Sequence, residues 1–306
     1  MKILKDNNEN NIEVNNEYYH KHIIPVLKER AQPVSIYHYT DIYGLDGILK
    51  KKEKLEGKGE FWVSNTDFLN DRTEVNYTID LSIQIFKNIC KEKRLNQEKT
   101  DEYIHLYKQL IEINYVQFEG NYYALSFSTN SDSNLLWSNY SKNDGYNIGF
   151  DFRLFIRSIE PAMCSYVFYD KEKQTKILKS LLEDILTLIM NNTADGKFPL
   201  GKEAIAASNV LIWFFFFFKD SVFSQEEEFR IVFILNPNEN YQCRPSNGTF
   251  IPYIERSFNK KAVSSITVGP KNNMDINLEG LHKFLNLHEF DIPDYGVKKS
   301  NIPYRF

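Results

Sequence analysis

The chain has 306 residues, of which 42% are hydrophobic and 25% charged, with a formal net charge of −4. That composition supports a sizeable core and excludes wholesale disorder. The slight negative charge supplies no general electrostatic pull toward nucleic acid, and most of the 23 Phe and 19 Tyr are expected to be core material.

Met1 to Asn16 is polar and Asn-rich with no apolar centre, so it reads as a flexible arm and not as a signal peptide. Tyr18 to Arg30 predicts a short helix ending before Pro33. Val34 to Tyr39 alternates and predicts a strand. Thr40 or Asp41 can cap the next helix, whose apolar face is Ile42, Leu45, Ile48 and Leu49. Gly57 and Gly59 act as breakers after it. Phe61 to Ser64 is a second short strand, followed by a polar loop from Asn65 to Glu74. Ile79, Ile83, Phe86 and Cys90 recur at helical spacing, as do Tyr103, Leu106, Leu110 and Ile113. They predict a helical insertion at about 75–118.

Strands are expected at Tyr122–Ser128, Asn147–Phe152 and Met163–Tyr169. An amphipathic helix runs through Ile177, Leu181, Ile185 and Ile189, and another spans Lys202 to Phe218. Strands at Glu227–Leu235, Thr249–Glu255 and Ala262–Val268 follow, then a short helix at Leu278–Leu287. Helices and strands intersperse without strict alternation, which favours α+β over a doubly wound sheet. The expected layout is an arm with a short helix over 1–33, one domain over 34–290 and a tail over 291–306. The longest apolar run, Val210 to Phe218, falls short of the roughly 20 residues that span a bilayer. Cys90, Cys164 and Cys243 are scattered without a CxxC pair, which fits reduced thiols in the cytoplasm.

Four segments can carry chemistry. Tyr37-His38-Tyr39-Thr40 ends a strand where a helix begins, a place for a histidine to meet a ligand hydroxyl. Taken alone, it better suits a histidine satisfied in the core or on the surface. Asp67, Asn70, Asp71, Arg72 and Glu74 can bind a ligand or metal, or build turns and caps. Ser126 and Ser128 share one face of a strand, near Trp137 and Tyr140, and suit a flat polar ring or a plain cross-strand pair. Glu226, Glu228 and Arg230 are expected on one face of a strand, as a binding stripe or as a salt-bridged edge. No phosphate-loop, nucleophile-elbow, HExxH or Cys/His zinc pattern is present.

In this order the segments resemble the DUF2971 family, a domain of unknown function found in bacterial and phage-associated loci. The matching residues are Tyr37–Thr40, Asn70–Glu74, Phe127-Ser128 with Trp137 and Tyr140, and Lys219, Phe223, Glu226, Glu228 and Arg230. Arg72 stands where Pro is common and Phe223 where Trp is common. A more distant likeness joins an early His, a middle Ser-x-Ser and a late Glu-x-Glu to the signature of ADP-ribosyltransferases. It implies a curved, split β-sheet core with helices around it, holding NAD as substrate without a metal. Glu228 would stabilise the cation formed at the nicotinamide ribose, and Glu226 would act on the acceptor. His38 would hold a ribose hydroxyl. Tyr39, Trp137 or Tyr140 would stack on a ring, Thr40, Ser126 and Ser128 would shape the pocket, and Arg230 or Arg72 would pair with pyrophosphate. The acceptor would be a macromolecule (protein or nucleic acid) or water, and a toxin or antiphage role with a defence-system partner protein follows from the family's usual company. No membrane partner is expected. Two alternatives stand beside this. One is a metal-dependent nuclease or phosphodiesterase using Asp67, Asp71, Glu226 and Glu228 on Mg²⁺ and Lys219 on phosphate. The other is a non-catalytic ligand- or protein-binding module.

Overall fold

In the computed structural model the described residues are 17–303, apart from 51–55, 69–71, 119, 142–144, 237, 247, 272–273, 291 and 293–295. The expected arm at 1–16 lies outside them. Residues 17–22 are helical, and the helices after them are α1 (Ile24–Lys28), α2 (Ile42–Leu49), α3 (Arg72–Glu92), α4 (Gln97–Phe118), α5 (Asn134–Ser141), α6 (Phe152–Ile159), α7 (Lys171–Ala194), α8 (Lys202–Asn209), α9 (Leu211–Phe217) and α10 (Met274–Leu287). The strands are β1 (Ser35–Thr40), β2 (Lys58–Asn65), β3 (Tyr122–Ser128), β4 (Tyr146–Asp151), β5 (Met163–Tyr166), β6 (Glu228–Ile234), β7 (Gln242–Ser246), β8 (Thr249–Asn259), β9 (Val263–Val268) and β10 (Val297–Lys299). Helix and strand share the chain, as expected of an α+β protein. The chain falls into two compact units, one of residues 1–31, 66–122 and 167–224, the other of 32–65, 123–166 and 225–306.

The first unit is helical. Asp170 caps α7 by accepting from the Lys173 amide, and Leu178, Leu181, Leu182, Ile185 and Ile189 are buried along one stripe. The α3–α4 pair forms where a helical insertion is expected, although Ile79 and Ile83 of the expected α3 stripe are only half-buried, and α3 packs on α7. The single helix expected over Lys202–Phe218 is two. Its reason lies in the apolar pattern: α8 buries an alanine face, whereas every residue of α9 is buried. The Val210 amide bonds back to Ala207 only three residues away, tightening the turn between them. No described helix is long and apolar enough to cross a membrane.

The second unit holds one mixed sheet in the order β10-β9-β4-β1-β3-β2-β8-β7, with β6 pairing β3 and β5. Strand β3 therefore has three neighbours, and the sheet branches there. Only Tyr37 and Ser128 are in register between β1 and β3, whereas β1 and β4 pair over six residues. Alternate side chains from the strands, Ile36, Phe61, Tyr123, Leu125, Phe127, Ile148, Phe150, Phe229 and Ile231, form one aromatic-rich core with residues of α2, α6 and α10.

Gly57, at φ +68, makes the turn expected of it. Gly59 does not break anything; it lies inside β2 because a Cβ there would sit 2.3 Å from Phe258 Cζ. Gly59→Ala is expected to destabilise the fold by about 1–3 kcal/mol through overpacking, read as a lower urea midpoint at unchanged slope.

Candidate functional site

A buried polar cluster in the sheet unit forms where the chain enters β6. The expected stripe of Glu226, Glu228 and Arg230 on one strand face is corrected: β6 starts only at Glu228. Glu226 closes a 3₁₀ turn (Ser221–Glu226), and Glu227 takes φ +46. That left-handed residue redirects the chain, so Glu226 leaves the strand's alternation.

The turn is pinned by the exit of β3. Ser128 Oγ donates to the Glu226 carbonyl at 2.8 Å, and the Thr129 amide donates to the Glu227 carbonyl at 2.9 Å. Asn130 Nδ2 donates to Glu227 Oε1 at 2.8 Å. Glu228 and Arg230 then face away from the aromatic core, because Phe229 and Ile231 face into it. Both are buried, and Arg230 grips Glu228 with two bonds, Nε to Oε1 at 2.8 Å and Nη2 to Oε2 at 2.9 Å. This forked geometry fixes a full negative charge in a dry place. Glu226 is half-buried, and Tyr140, which is exposed, donates its hydroxyl to Glu226 Oε1 at 3.2 Å. Two residues apart in the chain, Glu226 thus offers an accessible carboxylate and Glu228 a buried, arginine-held one.

His38 sits elsewhere. Its ring lies 5.2 Å from Phe61 and 5.6 Å from Phe127, on the core face, and its Nδ1–H donates to the Ser126 carbonyl at 3.2 Å. It bonds neither glutamate. That bond bridges β1 and β3 where their register ends, and it leaves Nε2 as the acceptor of a neutral ring. Burial among the rings lowers the His38 pKa to about 4, outweighing the opposing carbonyl bond. The unfolded chain therefore takes up a proton below pH 6.5 that the folded sheet refuses until about pH 4, so stability falls as pH falls through that window. His22 shifts the same way, burial outweighing its bond to Asp184. His38→Gln is expected to flatten the loss of urea stability between pH 7 and pH 4.5.

The expected aromatic platform is structural in part. Trp137 is fully buried, donates Nε1–H to Asp132 at 2.7 Å and meets Tyr39 edge-on at 4.9 Å. Tyr39 donates to the Asn130 carbonyl and accepts from the Ser133 amide. Burial leaves neither ring a free face, which corrects the stacking expected of them; Tyr140 alone of the three is exposed. Ser300 Oγ and the Asn301 amide also bond Asp132, and Ile302 packs on the Tyr39–Trp137 pair. Ser126 is exposed and Ser128 buried, so they do not line a pocket equally. Thr40 is buried at the end of β1. The Arg72 side chain, Asn70 and Asp71 lie outside the described residues. Sequence reasoning missed Asn130 and Glu227; the Ser-Thr-Asn-Ser-Asp-Ser run was the available signal of a hydrogen-bonding turn.

The helical unit carries its own polar cluster. Lys219 Nζ lies 2.6 Å from Glu74 Oε1, both buried, and 4.7 Å from the Phe223 ring centre. Gln174 Nε2 donates to the carbonyls of Phe168 and Lys219, and its Oε1 accepts from Tyr77. Asp67 is used as a cap for the Gly120 amide. Among the described residues no three His, Cys, Asp or Glu side chains gather as a metal site.

Part of this site lies within a family match. Residues 136–231 match DUF2971, a protein family of unknown function. The DUF2971 match runs from α5 to β6, taking in Trp137, Tyr140, Glu226, Glu228 and Arg230, and it begins after His38, Ser126 and Ser128. The searches of curated proteins and of solved structures return no match.

Proposed function

We propose that the entrance of β6 is the centre of an NAD-consuming, ADP-ribosyltransferase-like enzyme that passes ADP-ribose to a macromolecule or to water. The observation that carries this reading is the pair of unlike carboxylates, Glu228 buried and gripped by Arg230, Glu226 accessible and bonded to Tyr140. Cleaving the nicotinamide–ribose bond builds positive charge on the ribose, and a fixed carboxylate stabilises it without reorganising. Glu228 supplies that charge. Glu226 orients or deprotonates the acceptor, and exposed Tyr140 offers its ring beside it. The branching of the sheet at β3 supports the split core that this chemistry uses. His38 serves as a positioning residue through the Ser126 carbonyl, since its ring lies on the core face.

The test is nicotinamide release from NAD by the full chain. Glu228→Gln is expected to reduce it by about 10²-fold or more, the scale on which one preorganised electrostatic group acts. Glu226→Gln should lower transfer to an acceptor more than hydrolysis. Folded wild-type protein that neither binds nor consumes NAD overturns the reading.

A further inference from the structure

The sheet face away from the aromatic core carries a second constellation on β2, β8 and β7. Trp62 alternates with core residues Phe61 and Val63, and its ring stacks on Tyr253 at 4.7 Å and 26°. It keeps 48% exposure, whereas Trp137 and Trp213 are buried. Ser64 and Gln242 both stand opposite Tyr253, so the three strands bring their side chains to one row. Arg244 reaches along this row from β7 and donates Nη2–H to Ser64 Oγ at 3.0 Å. Its Nε is buried without an acceptor.

A buried guanidinium N–H with no acceptor is costly, and guanidinium geometry matches phosphate. Trp62 and Ser64 are two residues apart on one face, about 7 Å along the strand. That spacing is comparable to the reach from a base through its ribose to a 5′-phosphate. Glu255 stands opposite Trp62 and is exposed, so its carboxylate can accept from a ring amino group beside the indole. An indole, a cation and an acceptor are thus arrayed as a flat amino-bearing ring with a phosphate requires.

We propose that this face binds a purine nucleotide, with the base on Trp62 and Glu255 and the phosphate on Arg244. The site uses none of the residues assigned to NAD cleavage. The experiment is calorimetric titration of the full chain with GMP, AMP, their nucleosides, inorganic phosphate and a short oligonucleotide. At least one mononucleotide should saturate at sub-millimolar concentration. Trp62→Ala should weaken it at least tenfold, and Arg244→Met should erase its advantage over the nucleoside. Glu228→Gln should leave it unchanged, which separates this site from the proposed NAD centre. The proposal is overturned if the folded protein shows no saturable nucleotide binding, or if Trp62→Ala binds as tightly as wild type. It is also overturned if phosphate alone binds as tightly as the nucleotide, or if the oligonucleotide binds far more tightly than any mononucleotide. Thermal melts of the two variants confirm that they fold.

Discussion

Lys219→Met is expected to cost about 3–5 kcal/mol of folding stability, enough to unfold a marginal domain. The substitution removes a cation buried 2.6 Å from Glu74 and leaves that carboxylate in a place where water cannot compensate it. The cation also sits over Phe223, so a small contact with the ring is lost with it. Glu74→Leu alone should cost a similar amount, because the buried ammonium loses the carboxylate 2.6 Å away. The double variant should recover most of the loss, since replacing both members of a buried pair with apolar groups is often neutral. Urea denaturation of the four proteins gives the coupling directly. A simple sum of the two losses in the double variant would show that the pair is not coupled.

The second large effect concerns Arg230. Arg230→Met is expected to destabilise by about 3–5 kcal/mol, because the buried Glu228 carboxylate would lose the forked guanidinium that holds it. Arg230→Lys should fall between, costing about 1–3 kcal/mol, since a single ammonium cannot reproduce the forked grip. The two variants also bear on the proposed chemistry. If Glu228 works as a fixed charge, Arg230→Lys should lower nicotinamide release at temperatures where the protein remains folded. Melting curves measured alongside activity distinguish loss of the site from loss of the fold.

Much of the fold was legible because single residues have simple reasons. Asp170 caps α7, and the Ile and Leu stripe behind it is buried as its spacing demands. Strand β4 reads correctly because Tyr146, Ile148 and Phe150 alternate onto one core. In α3 the buried line runs through Leu81, Ile85, Phe86 and Ile89, together with Thr78 and Ser82. Polar residues inside a helix interface hide the true stripe from a hydrophobicity count. Strands β7 and β10 were missed because they are short and polar, and they exist through pairing with β8 and β9. Gly59 was misread because a small residue under Phe258 looks like a breaker until the partner strand is in place.

The candidate site was legible in composition more than in geometry. The Glu-rich entrance to β6 and the Ser128 strand do meet. What alternation could not supply was Glu227 at φ +46, which takes Glu226 off the strand while Glu228 stays on it, held by Arg230. His38 and Tyr39 adjoin in sequence, but a strand sends them to opposite faces, one to Phe61 and Phe127 and the other to Trp137.

The pairing of β2 with β8 bears on how this chain is made. Glu60 lies opposite Ser257, so β2 leaves the ribosome roughly 200 residues before its partner, an interval of about 10–40 s at ordinary elongation rates. During that time β2 has no β8 to cover Phe61, Val63 and its unpaired backbone. The segments that build the helical unit emerge within the same interval. Such long-range closure implies slow folding and a nascent chain that exposes unpaired strand edge until β8 arrives. The yield of active protein should therefore respond to translation rate and to chaperone supply more than to changes at the surface.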